Sequence, residues 1–190
     1  MDIGRLAARA VIGGLFVGHG TQKLFGWFGG PGLEGTEQMM GALDMRPTRA
    51  NALAAGISEA AGGALVVLGA ATPAAAASLI GTMATAIHKV HKPNGPWVAQ
   101  GGWEYNAVLI AALMALIDAG PGDVSVDARF GREEWGSTWA TGGLAMGLVA
   151  SAAAVALGRR GSSGVAPSPT DEVVKATTDD TAGDPVTGVD

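Results

Sequence analysis

Two long stretches without a single charged residue, 60–87 and 135–158, constrain this chain more than anything else in it. A helix of about 20 mainly apolar residues crosses the hydrocarbon layer of a bilayer, and a soluble domain rarely withholds charge for so long. Composition agrees: 48% of residues are hydrophobic, 15% are charged and 31 of 190 are glycine. That mix suits membrane helices, which tolerate glycine at close contacts.

Punctuation divides the chain into helices. A first runs over 4–25 and ends where GWFGGPG supplies helix breakers and two aromatics, Trp27 and Phe28, suited to the membrane interface. It resembles a signal peptide in having Arg5 and Arg9 before an apolar core. No small-x-small cleavage site follows, so it reads as an uncleaved membrane helix. A short amphipathic helix, TEQMMGAL, is expected next, lying on the membrane with Thr36 as N-cap and Glu37 in its first turn. Helices over 49–70 and 73–90 form a tight hairpin around ATPA, a fourth covers 103–119 and stops at GPG, and a fifth covers 136–157 and stops at Arg159 and Arg160. From 161 the composition turns to Ser, Thr, Pro, Gly and Asp, which predicts a disordered acidic tail over 161–190. The expected fold is all-α: a four-helix transmembrane bundle over 1–128, an extra membrane helix and its connection over 129–160, and that tail.

Polar groups inside these segments need partners. At about 100° per residue Arg5, Arg9, Phe16, His19 and Lys23 share an arc of roughly 80° on the first helix, a polar seam that should face the bundle interior. Glu59 lies well inside the second helix, and Arg9 is its expected ion-pair partner. Ser78, Thr82, Thr85 and Lys89 fall on one arc of the third helix, and Glu104 and Asp118 share a face of the fourth. Such seams are also ordinary packing surfaces. Gly14 with Gly18, and Gly143 with Gly147, have GxxxG spacing, which arises readily in so glycine-rich a chain.

Several functions are excluded or disfavoured. The net charge of -5 and the lack of a basic, aromatic-interleaved stripe argue against nucleic acid. With no cysteine, the chain has no disulfide, thiolate metal site or dithiol of its own. His88 and His91, with His19 as a third, sit beside lysines at a membrane exit, where a solvated basic loop explains them better than a metal, so no metal site is assigned. A quinone headgroup, which needs hydrogen-bond donors beside an apolar wall, fits His, Lys and Trp near an interface better. Counting Lys and Arg near the helix ends puts Lys23, Arg46, Arg49, Lys89, Lys92, Arg159 and Arg160 on one side and Arg5, Arg9, Arg129 and Arg132 on the other. This predicts a multi-pass cell-membrane protein with a cytoplasmic carboxyl terminus.

Over 5–127 the chain resembles the DoxX family of small integral membrane proteins, in RLAARAVIGGLFVGHGTQKLFGWFGGPGLEGT, ISEAAGGALVVLG, IHKVHKPNG and GGWEYNAVLIAALMALIDAGPGDVSVD. The resemblance implies a four-helix membrane core, to which the fifth helix and tail are additions. It marks Arg9, His19, Gln22, Lys23, Glu59, His91, Asn94, Glu104 and Tyr105 as family-shared positions without assigned roles. It further implies a membrane subunit of an oxidoreductase passing electrons from thiosulfate or a thiol to quinone, or a membrane-bound assembly with a sulfurtransferase and a superoxide dismutase against oxidative stress. Besides the lipid bilayer, such redox proteins are the implied partners, and a homo-oligomer is compatible with the pattern. Arg9, His19 and Lys23 would then attract an anion or hold a quinone, and Glu59 or Glu104 would accept a proton. Without cysteine or a nucleotide-binding motif, autonomous catalysis is not expected. The alternatives are a non-enzymatic scaffold that recruits soluble partners and a small-solute carrier, the latter lacking the length and internal repeat of many transporters.

Overall fold

The computed structural model describes residues 2–163, which contain six α-helices and no strand. They are α1 (Ile3–Phe25), α2 (Gly32–Ala42), α3 (Thr48–Leu68), α4 (Thr72–Ala86), α5 (Glu104–Ala119) and α6 (Ser137–Ser163). A π-helical turn, Ile87–His91, prolongs α4. α1 is closed by Gly26 and α3 by Gly69, both in the left-handed region that glycine enters without steric cost. Two helices, Thr48–Leu68 and Ser137–Gly161, are long and apolar enough on their own to cross a membrane. Of the others, α1 carries Arg5, Arg9 and Lys23, and α4 and α5 have only 15 and 16 residues.

Helix positions follow the sequence reading within a residue or two except at two ends. The amphipathic helix, α2, begins at Gly32, not Thr36, because Pro31 starts it and Glu34 occupies its first turn. Thr36 is fully buried inside α2, and its hydroxyl donates to the Gly32 carbonyl at 2.7 Å and to Lys23 of α1 at 3.2 Å. α2 is thus stitched to the last turn of α1. α6 runs past Arg159 and Arg160 to Ser163, since arginine is a good helix former and is favoured near a helix carboxyl end. The first three residues of the expected tail are therefore helical, and 164–190 lie outside the described residues.

α1 packs along α3, and α6 along α4. Glycines make both approaches close. A Cβ on Gly13 would lie 2.6 Å from the Gly63 carbonyl oxygen, one on Gly63 equally close to that of Gly13, and one on Gly20 would strike the Ala60 backbone. Gly147 meets the Ala77 carbonyl and Ile80 of α4 in the same way, and Gly143 meets Ile117 of α5. Gly14 and Gly18, by contrast, have nothing within 4 Å. The core between α1, α3, α4 and α5 centres on Phe16, Leu79, Ile80, Leu113 and Ile117.

Arg9 does not pair with Glu59. The Gly13–Gly63 contact fixes the antiparallel register of α1 on α3, so Arg9 lies level with the end of α3, about 12 Å along the axis from Glu59. There it donates to the carbonyls of Val66 (3.1 Å), Val67 (2.6 Å), Pro121 (2.7 Å) and Val124 (2.8 Å). A guanidinium with five donors can serve the unpaired carbonyls of a helix end and an adjacent loop together. Asp127 completes this end of the bundle: its carboxylate accepts from the backbone N–H groups of Ala71 and Thr72 at 2.8 and 3.0 Å, where α4 begins. The end holding Arg9 and Asp127 is termed proximal and the other distal.

Candidate functional site

In the distal half of the bundle the helices part around a cavity of about 670 Å³. Its walls come from α1, α3, α4, α5 and α6, and α2 covers it with Met39, Met40 and Leu43. Most of the wall is apolar. The polar groups are concentrated on α1, α3 and α4, and their chemistry is set by one ion pair.

Lys23 Nζ lies 2.5 Å from Glu59 Oε2, with the lysine side chain 21% exposed and the glutamate 4%. Helical side chains lean toward their own amino terminus, so in antiparallel α1 and α3 these two lean toward each other. Lys23 therefore reaches inward from the last turn of α1. The two charges offset each other where water is scarce. Beside it Ser58 Oγ lies 2.6 Å from Ser78 Oγ and 3.0 Å from Thr82 Oγ1, and Thr85 donates to Ser151 of α6 at 2.9 Å. The hydroxyl arc seen in α4 is thus a set of satisfied interhelical bonds along the cavity.

The seam expected along α1 is split. Arg5 and Arg9 bind helix-end and loop carbonyls at the proximal end, whereas His19 and Lys23 line the cavity, with buried Phe16 between the two groups. Of the candidates named from sequence, His19, Lys23, Glu59 and His91 come together on this wall. Gln22 turns away, its amide donating to the Phe28 carbonyl at 3.5 Å. Glu104 accepts from the Val98 backbone at 2.6 Å and braces the loop before α5. His91 ties that loop down as well: its Nδ1 donates to the Gly101 carbonyl at 2.7 Å, which Asn94 also reaches at 3.2 Å.

Sequence reasoning did not single out Ser58, Ser151, Asn106 or the cavity methionines. Asn106 was within reach, since it heads the stripe Asn106, Leu109, Leu113, Leu116 that α5 buries, and a polar residue opening an apolar stripe asks for an explanation. It is buried and contacts Met83 Sδ at 3.3 Å. Among the described residues no three His, Asp or Glu side chains are grouped so as to hold a metal ion.

Comparison with known families places this geometry. The DoxX family model matches residues 4–92, from the first turn of α1 through the π-helical turn and Lys92. Residues 4–92 form a region of the DoxX family of membrane proteins. No curated protein and no solved structure matches the chain. The DoxX match contains His19, Lys23, Glu59 and His91, and with them the ion pair and the covering helix α2. The α5 and α6 walls of the cavity lie beyond it.

Proposed function

We propose that this protein is a multi-pass cell-membrane subunit or anchor of a redox assembly whose distal cavity receives a quinone headgroup. In this reading 1–128 form a four-span DoxX core, α6 is a fifth span within 129–160, and the carboxyl terminus is cytoplasmic. One observation carries the quinone reading: a Lys–Glu pair on the wall of a largely apolar cavity, with His19 beside it. A quinone carbonyl needs a hydrogen-bond donor, which Lys23 offers, and its two-electron reduction takes up two protons, for which Glu59 is a relay that accepts a proton and passes it on. The apolar wall suits an isoprenoid tail arriving from lipid. Electrons from a thiol or another sulfur compound would have to come through a partner such as a sulfurtransferase, since the chain has no cysteine.

The test is direct binding of a short-chain quinone to purified protein in nanodiscs. His19→Ala and Lys23→Ala should each weaken binding about tenfold, the value of one good hydrogen bond to a charged or polar donor. Unchanged affinity in both variants would remove these residues from the quinone site.

A second reading, a scaffold that recruits soluble partners, is favoured by the braced distal loop, on which Trp97 and Val98 are 62% and 59% exposed. Affinity capture from membranes with Trp97→Ala should then lose partners that the unaltered chain retains. An identical partner set would leave the loop to the bilayer interface.

A further inference from the structure

We propose that the distal mouth of the cavity binds the carboxylate of a single-chain amphiphile, with Lys89 as its counter-ion. The inference rests on the reading that the cavity is a ligand site and adds a charge requirement that a quinone does not have. Three Lys or Glu side chains line the cavity: Lys23, Glu59 and Lys89. The first two neutralise each other, and Lys89 has no ion-pair partner among the described residues. The residue is half-buried, and no carboxylate among the described residues pairs with it.

The backbone puts it there. Lys89 sits in the π-helical turn that ends α4, and the wider turn brings Ala86, Lys89, Val90 and His91 all to the wall. Because His91 spends Nδ1 on the Gly101 carbonyl, its ring is held in place at the mouth with Nε2 free of that bond. Deeper in, Phe16, Met83 and Leu109 offer an apolar wall, Met40 and Leu43 add to it from the covering segment, and the hydroxyls of Ser58, Ser78 and Thr82 satisfy one another. The site therefore sets one cation without an ion-pair partner beside a largely apolar wall, the complement of a fatty acid. A volume of about 670 Å³ is in the range of a site for one small ligand, and a two-chain phospholipid would need about twice the apolar space of a one-chain guest.

The experiment uses the full chain in phosphatidylcholine nanodiscs, titrated with palmitate, hexadecanol, a short-chain quinone and phosphatidylglycerol as a competitor. Palmitate should bind about tenfold more tightly than hexadecanol. Lys89→Gln should abolish that difference, Lys89→Arg should keep it, and Lys92→Gln, one residue past the π-helical turn, should leave it intact. Lys89→Arg reports on folding should Lys89→Gln lose all binding. Palmitate binding no better than hexadecanol, with quinone still bound, would overturn the carboxylate site and leave the ligand cavity standing. If neither palmitate nor quinone binds, both readings fall. Equal competition by phosphatidylglycerol would assign the mouth to a membrane phospholipid and overturn the single-chain guest.

Discussion

Arg9 and Lys23 lie on the same face of one helix, yet their neighbours give them opposite tasks. Arg9 closes the proximal end through four carbonyls on α3 and the loop after α5. Lysine could not replace it, because one ammonium cannot reach four acceptors spread around a planar fork. Arg9→Lys should therefore cost roughly 3 kcal/mol, read as a large fall in the melting temperature of the detergent-solubilised protein. A fall no greater than that of a surface Arg→Lys change such as Arg132→Lys would refute the clamp. Lys23 and Glu59 form a pair whose members depend on each other. Glu59→Gln strands the lysine and should cost about 2–4 kcal/mol, Lys23→Met should cost a similar amount, and the double variant should recover most of the loss. Additive costs in that cycle would show that the two residues act separately. Sequence alone identified both partners but joined Glu59 to the wrong cation, because spacing along a chain fixes the face of a helix and not its register against another.

At the scale of helices, glycine position separates packing from coincidence. Gly63 touches the Gly13 carbonyl, and any side chain there must push α1 from α3, so Gly63→Ala should cost about 2 kcal/mol by overpacking. Gly14→Ala meets open space and should stabilise α1 by about 0.5–1 kcal/mol through helix propensity. Unfolding of both variants under one condition tests the contrast, and equal effects would place the α1–α3 contact elsewhere. The GxxxG spacings illustrate what periodicity can carry: Gly143 and Gly147 do meet other helices, whereas Gly14 and Gly18 do not. Helix positions were legible because Gly26, Pro73 and Gly120 punctuate them by local chemistry. The early start of α2 was missed because a threonine looks like an N-cap from sequence, whereas here it is buried against the end of α1. The cavity was half legible. His19, Lys23 and Glu59 stood out as costly polar groups and His91 through the family resemblance, but Ser58 and Ser151 gain meaning only from helices that are distant in sequence.

For the whole molecule, the helices place α2 and the π-helical turn at the distal end and the loop between α5 and α6 at the proximal end. Five spans follow if α1, α3, α4, α5 and α6 all cross. α1 is admissible despite its charges because Arg9 is spent on backbone carbonyls and Lys23 on Glu59, which removes most of the insertion penalty of about 2.5–3.5 kcal/mol per buried charge. The lysine-rich distal end should then face the cytoplasm. Because the chain has no cysteine, single cysteines report cleanly on this arrangement. Exposed Gln38 on α2 and Lys92 after the π-helical turn mark the distal end, and exposed Glu133 marks the proximal end. With a membrane-impermeant maleimide, Glu133→Cys should be labelled in intact cells, and Gln38→Cys and Lys92→Cys only after permeabilisation. Labelling of Lys92→Cys and Glu133→Cys from the same side would sink the five-span topology, because α5 then could not cross. Labelling of all three in the inverse pattern would keep the spans and reverse the orientation, placing the mouth of the cavity and Lys89 on the outer face.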